Sequence, residues 1–291
     1  MKIKILIATH KEAIFPKNEI FMPIQVEKAL SNKDLGIQGD NTGENISKKG
    51  PCYSELTALY WAWKNLNDLD YIGFCHYRRY FDIDSSPNIS KFKIKLVLKN
   101  YLLQFMGRLI VVFYPYKNLS IKWIKYISKN ELDAYSNQFQ SKLLEQIKKH
   151  DYDIFYVKPF FSFNRTVQES FFIGGYYYFQ QLEKIILEKF TEYKPMYDKV
   201  MKGHIISTSN LHLMKKEIFD EYCSFVFGVL ERHLELNKKE GISYFRILGY
   251  MAEILATVFI FKKKQDSAIR TKTMNHLYVR EYFIGRTSPL Q

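Results

Sequence analysis

The sequence predicts an α/β protein in which a mixed sheet is flanked by helices, with a helical C-terminal part and a basic apolar insertion. Short apolar segments bounded by polar residues, at 3–9 and 70–75, are typical of buried strands. Between them, residues 54–64 combine good helix formers with apolar residues at helical spacing, and Ser54 or a neighbour could cap this helix. A strand, a loop, a helix and a second strand in this order indicate α/β architecture.

The remaining predicted elements continue this pattern. They are a strand at 151–157, a strand and loop at 205–214, and helices at 166–193, 218–236 and 245–261. Pro195 is expected to mark the end of the first of these helices, because proline does not continue a helix. The region 31–50 is rich in Asn, Asp, Gly, Ser and Lys, which predicts a loop.

The chain length of 291 residues suits one large α/β domain. We expect a single domain at residues 1–265 and a C-terminal tail at residues 266–291, where no pattern is visible. The three cysteines have no metal-ligand spacing, which favours buried thiols in a reducing cytoplasm. The stretch at residues 1–8 is short, and charged residues follow it at once. We therefore expect it to form the first strand rather than a secretory signal.

The predicted insertion covers about residues 91–130. Its apolar part, residues 102–114, is interrupted by Arg108 and is shorter than the about 20 apolar residues needed to span a bilayer. Lysines flank it on both sides, and a basic, aromatic, apolar segment fits one that lies in a membrane interface. The alternative is a segment that packs on its own domain or on a partner. The first interpretation predicts a cytoplasmic protein that is peripheral at the inner face of the cell membrane.

The net charge of +13 indicates an anionic partner: nucleic acid, a nucleotide diphosphate or acidic lipid headgroups. The sequence contains no zinc finger, glycine-rich phosphate loop or RNA-binding aromatic signature. Nucleic acid is therefore not the expected partner, although a basic nucleic-acid-binding protein is one alternative function.

Two neighbouring segments carry a resemblance. Residues 53–65 and 71–81, with the run His76-Tyr77-Arg78-Arg79, resemble a bacterial family of capsular or exopolysaccharide biosynthesis glycosyltransferases built on a domain of unknown function. Weaker matches lie at 7–12, 45–49, 210–217 and 249–253. The resemblance implies a GT-A-like nucleotide-sugar-binding fold. It also implies transfer of a sugar to a growing glycan. We expect this sugar to be a hexose, the donor to be a UDP-sugar and the acceptor to be a lipid-linked oligosaccharide. A non-catalytic carbohydrate- or lipid-headgroup-binding protein is the other alternative.

The donor diphosphate needs cationic partners. Many such enzymes hold a metal with an Asp-x-Asp at the exit of a central strand, where this chain has the His-Tyr-Arg-Arg run. Arg78 and Arg79 could neutralise a diphosphate by forked hydrogen bonds without a metal. The alternative is that one arginine pairs with a carboxylate such as Glu55. Asp82 and Asp84 form a literal Asp-x-Asp that could chelate Mg²⁺ or Mn²⁺, but a solvated loop is favoured there, so no metal cofactor is expected.

Further donor-binding candidates follow the first strand. Thr9 and His10 lie at its carboxyl end, where ligands bind in open α/β sheets. The polar loop before the helix supplies the remaining candidates for ribose, base or phosphate. They are Asp40, Asn45, Ser47 and Lys48. The alternative is that this loop is merely rich in turn residues.

The candidate catalytic residues are Glu253 and His76. Glu253 interrupts an apolar helix, and a carboxylate in that setting is either paired or functional because lone burial is costly. Glu253 could be the base for the acceptor hydroxyl or a structural partner for an arginine, and the sequence leaves both roles open. The candidate residues on the acceptor or sugar side are Glu55, Asn210 and His212.

Overall fold

The computed structural model describes residues 1–83, 120–121, 124–162, 165–171, 176–237 and 246–282. Its strands are β1 (Ile3–Thr9), β2 (Phe21–Gln25), β3 (Gln38–Gly39), β4 (Tyr71–His76), β5 (Arg79–Asp82), β6 (Ser120–Ile121), β7 (Ile124–Ile127), β8 (Ile154–Val157), β9 (Phe160–Ser162), β10 (Ile205–Ile206), β11 (His212–Lys215) and β12 (Thr271–Val279). Its helices are α1 (Gly50–Tyr53), α2 (Leu56–Asn65), α3 (Leu132–His150), α4 (Val167–Phe171), α5 (Tyr176–Lys189), α6 (Lys194–Lys202), α7 (Lys216–Asn237) and α8 (Ile247–Lys263).

The predicted mixed sheet is confirmed. Nine of the described strands form one sheet in the order β11-β8-β12-β5-β4-β1-β2-β3, with β7 on β12 and a further pairing of β11 with β4. Strand β1 runs parallel to β2 and β4, whereas β11 is antiparallel to both β4 and β8. Because Ala8 pairs with His76, the carboxyl ends of β1 and β4 meet at one edge of the sheet.

Helices cover both faces of this sheet. On one face, α2, α6, α7 and α8 enclose a large apolar cluster that includes Leu59, Phe227 and Phe259. On the other face, α3 packs Phe139 and Leu143 in a second cluster. Central strands buried on both sides read as continuous apolar runs, which explains why residues 3–9 and 71–75 were recognisable in the sequence.

Two local expectations are wrong. Ser54 does not cap α2, because its backbone is left-handed (φ 51°) and its side chain makes no capping bond. Pro195 does not end a helix: it lies in the first turn of α6, where the missing N–H costs nothing. The predicted helix at 166–193 is instead divided into α4, α5 and a 3₁₀ turn before α6.

Several strands lie where the sequence indicated none, among them β2, β7 and β12. Strand β2 contains Pro23, which hid it, and among the described strands its outer neighbour is the two-residue β3. Strand β12 lies within the predicted tail and pairs with β5, β7 and β8. Strand β7 lies within the predicted insertion and joins the main sheet. Residues 91–119 and 122–123 of the insertion are outside the described residues, so its membrane role stays a prediction.

Among the described residues, no helix combines the length and the apolar character needed to cross a membrane.

Candidate functional site

The candidate site lies at the edge of the sheet where β1 and β4 end. The β4–β5 hairpin carries Arg78 and Arg79 there, and Arg79 pairs with Tyr278 of β12. The guanidinium of Arg78 lies 5.3 Å from the ring centroid of Tyr77, and that of Arg79 lies 5.6 Å from the ring of Tyr278. Both arginines are half-buried, and Nε of Arg79 is buried without a hydrogen-bond partner among the described residues. Aromatic faces therefore hold both cations at this edge.

His76 lies between these arginines and the end of β1. Burial lowers the pKa of His76 well below its usual value, and the charges of Arg78 and Arg79 lower it further. Its Nδ1 accepts the backbone N–H of Arg78 at 3.4 Å, which leaves the proton on Nε2. At neutral pH, His76 is therefore a neutral hydrogen-bond donor rather than a cation.

Glu253 comes from the first half of α8 and retains partial solvent exposure. Its Oε1 accepts the backbone N–H of Ser209 at 2.6 Å. Burial raises the pKa of Glu253 to about 7, against the opposing effect of this hydrogen bond; Glu55 raises it further and Arg79 lowers it. A carboxyl group that titrates near neutral pH can accept and release a proton under physiological conditions.

A strained dipeptide connects Glu253 with Glu55. Ser209 and Asn210 both have left-handed backbones, with φ of 74° and 50°. Ser209 bonds Glu253, while Nδ2 of Asn210 donates to Oε1 of Glu55 at 3.4 Å. Oδ1 of Asn210 is buried and has no partner within the described part of the chain. Two of the predicted residues, Glu55 and Asn210, are thus brought beside the candidate base.

Left-handed backbones concentrate at this site. The described residues include six non-glycine residues with positive φ, and all but Asp151 surround the two carboxylates. They are Glu27, Ser54, Ser209, Asn210 and Arg246. Such conformations cost on the order of 1–3 kcal/mol each and persist at functional sites where the surrounding structure enforces them.

The predicted loop residues have a different environment. Asp40 is fully buried and accepts hydrogen bonds from the N–H groups of Glu27 (2.8 Å) and Lys28 (3.0 Å) and from Oγ of Ser47 (2.5 Å). Asn45 accepts the N–H of Ser47 at 3.2 Å. These contacts stabilise the loop, and only the exposed Lys48 is left facing solvent.

Thr9 and His10 end β1 beside Tyr77. The Thr9 hydroxyl is buried and donates to the carbonyl oxygen of Lys11 at 2.6 Å, which fixes the turn. His10 is exposed, and its ring meets the edge of Tyr77 at 5.9 Å. Of the two, His10 has the surface available for a ligand.

Two predicted residues lie away from this cluster. His212 is only 1% exposed and packs between Phe74 and Tyr222, and burial lowers its pKa to about 3. This position gives His212 no surface for an acceptor. Asp82 forms an ion pair with Lys125 at 2.7 Å and accepts a hydrogen bond from Asn275 at 3.0 Å, whereas Asp84 is outside the described residues. Within the described ranges, no group of three His, Cys, Asp or Glu residues could hold a metal.

A family model fits most of this chain. The model described as "Domain of unknown function (DUF4422)" matches residues 4–265. The chain belongs to this family. The match ends before β12, so the strand that carries Tyr278 lies beyond it.

One solved structure shares the fold. It is the apo structure of WbbM, described as a bifunctional glycosyltransferase, with a TM-score of 0.74 and 24% sequence identity. The match covers 96% of this chain and 45% of that one, so this chain spans less than half of WbbM. The likeness shows that this chain shares its fold with the matched part of WbbM. No curated protein sequence matches the chain significantly.

The site also contains residues that the sequence did not reveal. Glu27 lies before the 3₁₀ turn at residues 28–30 and packs on Gly50, where any Cβ would collide with its side chain. Tyr278 hydrogen-bonds Ser209, and Arg246 precedes α8. Within the helix predicted at 245–261, the seven-residue spacing of Arg246 and Glu253 was the one available signal, although the structure begins this helix after Arg246.

Proposed function

We propose that this protein is a glycosyltransferase that moves a hexose from a nucleotide diphosphate sugar to a hydroxyl group of a lipid-linked glycan in surface-polysaccharide biosynthesis. The expected donor is a UDP-sugar bound in a GT-A-like arrangement. The observation that carries the proposal is the carboxyl group of Glu253, with a pKa of about 7, beside the cationic Arg79 at the carboxyl edge of the sheet. Glycosyl transfer needs this combination, a base for the acceptor and cations for the leaving group.

On this proposal the reaction is a single displacement. Glu253 takes the proton of the acceptor hydroxyl, whose oxygen forms a bond to the anomeric carbon. The bond between that carbon and the phosphate oxygen breaks, and its electron pair leaves with the nucleoside diphosphate. Arg78 and Arg79 stabilise the charge that develops on the diphosphate. One displacement inverts the configuration at the anomeric carbon.

The remaining site residues bind and orient on this proposal. His76 donates a neutral hydrogen bond from Nε2, and the exposed His10, which packs on the buried ring of Tyr77, lines the nucleotide side. Glu55 and Asn210 bind acceptor hydroxyl groups, because Oδ1 of Asn210 is a buried acceptor in need of a donor. Lys48 is the loop residue with a charge free to meet the donor.

The proposed reaction uses no metal. Two arginines take the place of a divalent cation, and Asp82 is already engaged by Lys125. A site for Mg²⁺ or Mn²⁺ would require Asp84 in addition, which is the alternative that the experiment below tests.

The first experiment measures thermal stabilisation by UDP, GDP and dTDP, with Mn²⁺ or with EDTA. A ligand that binds only the folded protein raises its melting temperature by mass action. We expect a shift with UDP that survives EDTA, is lost in Arg79→Ala and is retained in Arg270→Ala. Arg270 is a matched control because it lies eight residues before Tyr278 on the same polypeptide segment, about 26 Å away at strand spacing.

The other outcomes separate the alternatives. A shift that needs Mn²⁺ would indicate a metal site at Asp82 and Asp84. Absence of a shift with every nucleotide would contradict the proposal and favour a carbohydrate- or headgroup-binding protein. Steeply salt-dependent binding to any polynucleotide, with indifference to UDP, would favour nucleic acid.

The membrane association is tested separately. The acceptor is lipid-linked, so we propose that the insertion at residues 91–130 holds the protein at the inner membrane surface. Removal of residues 95–117 should lower sedimentation with anionic vesicles. If the truncated protein sediments as the parent does, the insertion is not the anchor.

A further inference from the structure

Arg246 occupies an unusual position immediately before α8. Its backbone is left-handed (φ 59°), and its N–H donates to the carbonyl oxygen of Pro51 at 3.1 Å. A Cβ added at Gly249, in the next turn, would lie 4.0 Å from the side chain of Ser54. The start of α8 is therefore fastened to the turn that precedes Glu55, with Arg246 at the junction.

Arg246 and the candidate base lie at the same end of α8. Arg246 immediately precedes the helix, and Glu253 lies within its first two turns. The charge of Arg246 also acts on groups from three separate elements. It lowers the pKa of Glu253, of Glu27 and of His76, although burial and the charges of other groups have larger effects on each. The guanidinium thus lies within electrostatic range of all three groups.

This position is unfavourable for a cation in the free protein. The N-terminus of a helix carries partial positive charge, which repels an arginine and attracts an anion. Arg246 is exposed, and its guanidinium forms no hydrogen bond or ion pair with any described residue. It retains its five donors for a ligand, and this fork matches a phosphate group.

The proposed donor supplies such an anion. The diphosphate of the sugar-linked donor carries about two negative charges, and the nucleoside diphosphate that departs carries roughly three at pH 7, because its newly terminal phosphate has a second pKa near 6. Arg78 and Arg79 supply two positive charges, so a reaction without a metal lacks one cation for the charge that develops on the leaving group. The terminal phosphate is bonded to the anomeric carbon, which brings it nearest to the acceptor base.

We infer that Arg246 binds the terminal phosphate of the donor diphosphate and is the third cation of a metal-free site. This inference rests on the proposed function and extends it to a residue at the start of α8. Arg246 joins the leaving group to the helix that carries Glu253, so the base and the leaving group are positioned by one rigid element.

The experiment compares Arg246→Gln with the parent in calorimetric titrations with UDP and UMP in EDTA. We expect the affinity for UDP to fall tenfold or more, because charge-assisted forked hydrogen bonds are lost. The affinity for UMP, which lacks the terminal phosphate, should stay within twofold. Arg246→Lys keeps the charge but not the forked donors, so its affinity for UDP should lie between those of the parent and Arg246→Gln. The affinity of Arg270→Gln should match that of the parent.

A second readout separates contact with the phosphate from a structural role. Arg246 lowers the pKa of Glu253, so Arg246→Gln should move the midpoint of the pH–rate profile to higher pH. Melting of each variant without ligand shows that it is folded.

The outcomes are distinct. Unchanged affinity for UDP in Arg246→Gln, or equal losses for UDP and UMP, overturns the role of Arg246 while the proposed function stands. A parent that binds no nucleotide overturns both.

Discussion

Asp40 and Glu253 are both carboxylates that the sequence marked as site residues, and the fold treats them in opposite ways. Asp40 is fully buried and accepts three hydrogen bonds from Glu27, Lys28 and Ser47. Glu253 is partly exposed and accepts one, from Ser209, and its pKa is raised to about 7 mainly by burial.

The difference teaches how to separate structural from functional polar residues. A carboxylate saturated by backbone donors has no capacity left for a ligand, and its loss leaves several donors unsatisfied. A carboxylate that is desolvated but undersaturated retains a reactive oxygen. The region around Asp40 therefore stabilises the loop that shapes the site, whereas the region around Glu253 is available for chemistry.

The largest expected effect is on turnover. Glu253→Gln should lower kcat by about 10²–10⁴, the usual contribution of a general base, with UDP affinity unchanged. The measurement is initial-rate kinetics together with a UDP titration. Turnover close to that of the parent would mean that Glu253 only supports Ser209.

The next effect is on stability. Asp40→Ala should lower the free energy of unfolding by roughly 3 kcal/mol, because buried donors lose a charged acceptor. Urea unfolding measures this, with Asn45→Ala in the same loop as a control expected to cost less than about 1 kcal/mol. Nucleotide affinity of the folded Asp40→Ala protein should be retained. A stable variant that no longer binds nucleotide would make Asp40 a ligand-binding residue.

The pH dependence gives a smaller effect. The pKa of Glu253 is raised in the folded state, so the folded protein binds a proton that the unfolded chain releases between pH 4.5 and about 7. Stability therefore falls as the pH rises through this window, by on the order of 1–2 kcal/mol after allowance for partial exposure. Thermal melts of the parent and Glu253→Gln across pH 5–8 should converge at low pH and separate at high pH. Parallel curves would contradict the raised pKa.

The smallest effect is expected at His212. His212→Leu should leave kcat and acceptor KM within twofold and change stability by less than about 1.5 kcal/mol, because the ring lies between Phe74 and Tyr222 in an apolar setting. Steady-state kinetics check this. A large rise in acceptor KM would return His212 to the acceptor side.

Much of the sheet was predictable because periodicity reports burial directly. Strands β1, β4, β8 and β11 and helices α2, α7 and α8 follow from apolar runs and helical spacing. Strand β12 was not recognised, since Asn275 and His276 interrupt its apolar pattern and its partners are remote in sequence. Propensity carries little information about such long-range pairing.

The site residues also fall into two groups, those that the sequence indicated and those that only the structure revealed. The arginines after β4 and the carboxylate in α8 stand out because charge interrupts apolar sequence. By itself the sequence determined the mixed α/β class, and it supplied the candidates Arg78, Arg79 and Glu253 for the site proposed at one edge of the sheet. Only the tertiary structure decided that Asp40 and Ser47 hold the loop, that His212 is core, and that Glu27, Ser209 and Arg246 join the site. The reason is physical: burial, backbone strain and the field of distant charges arise only when remote segments pack together.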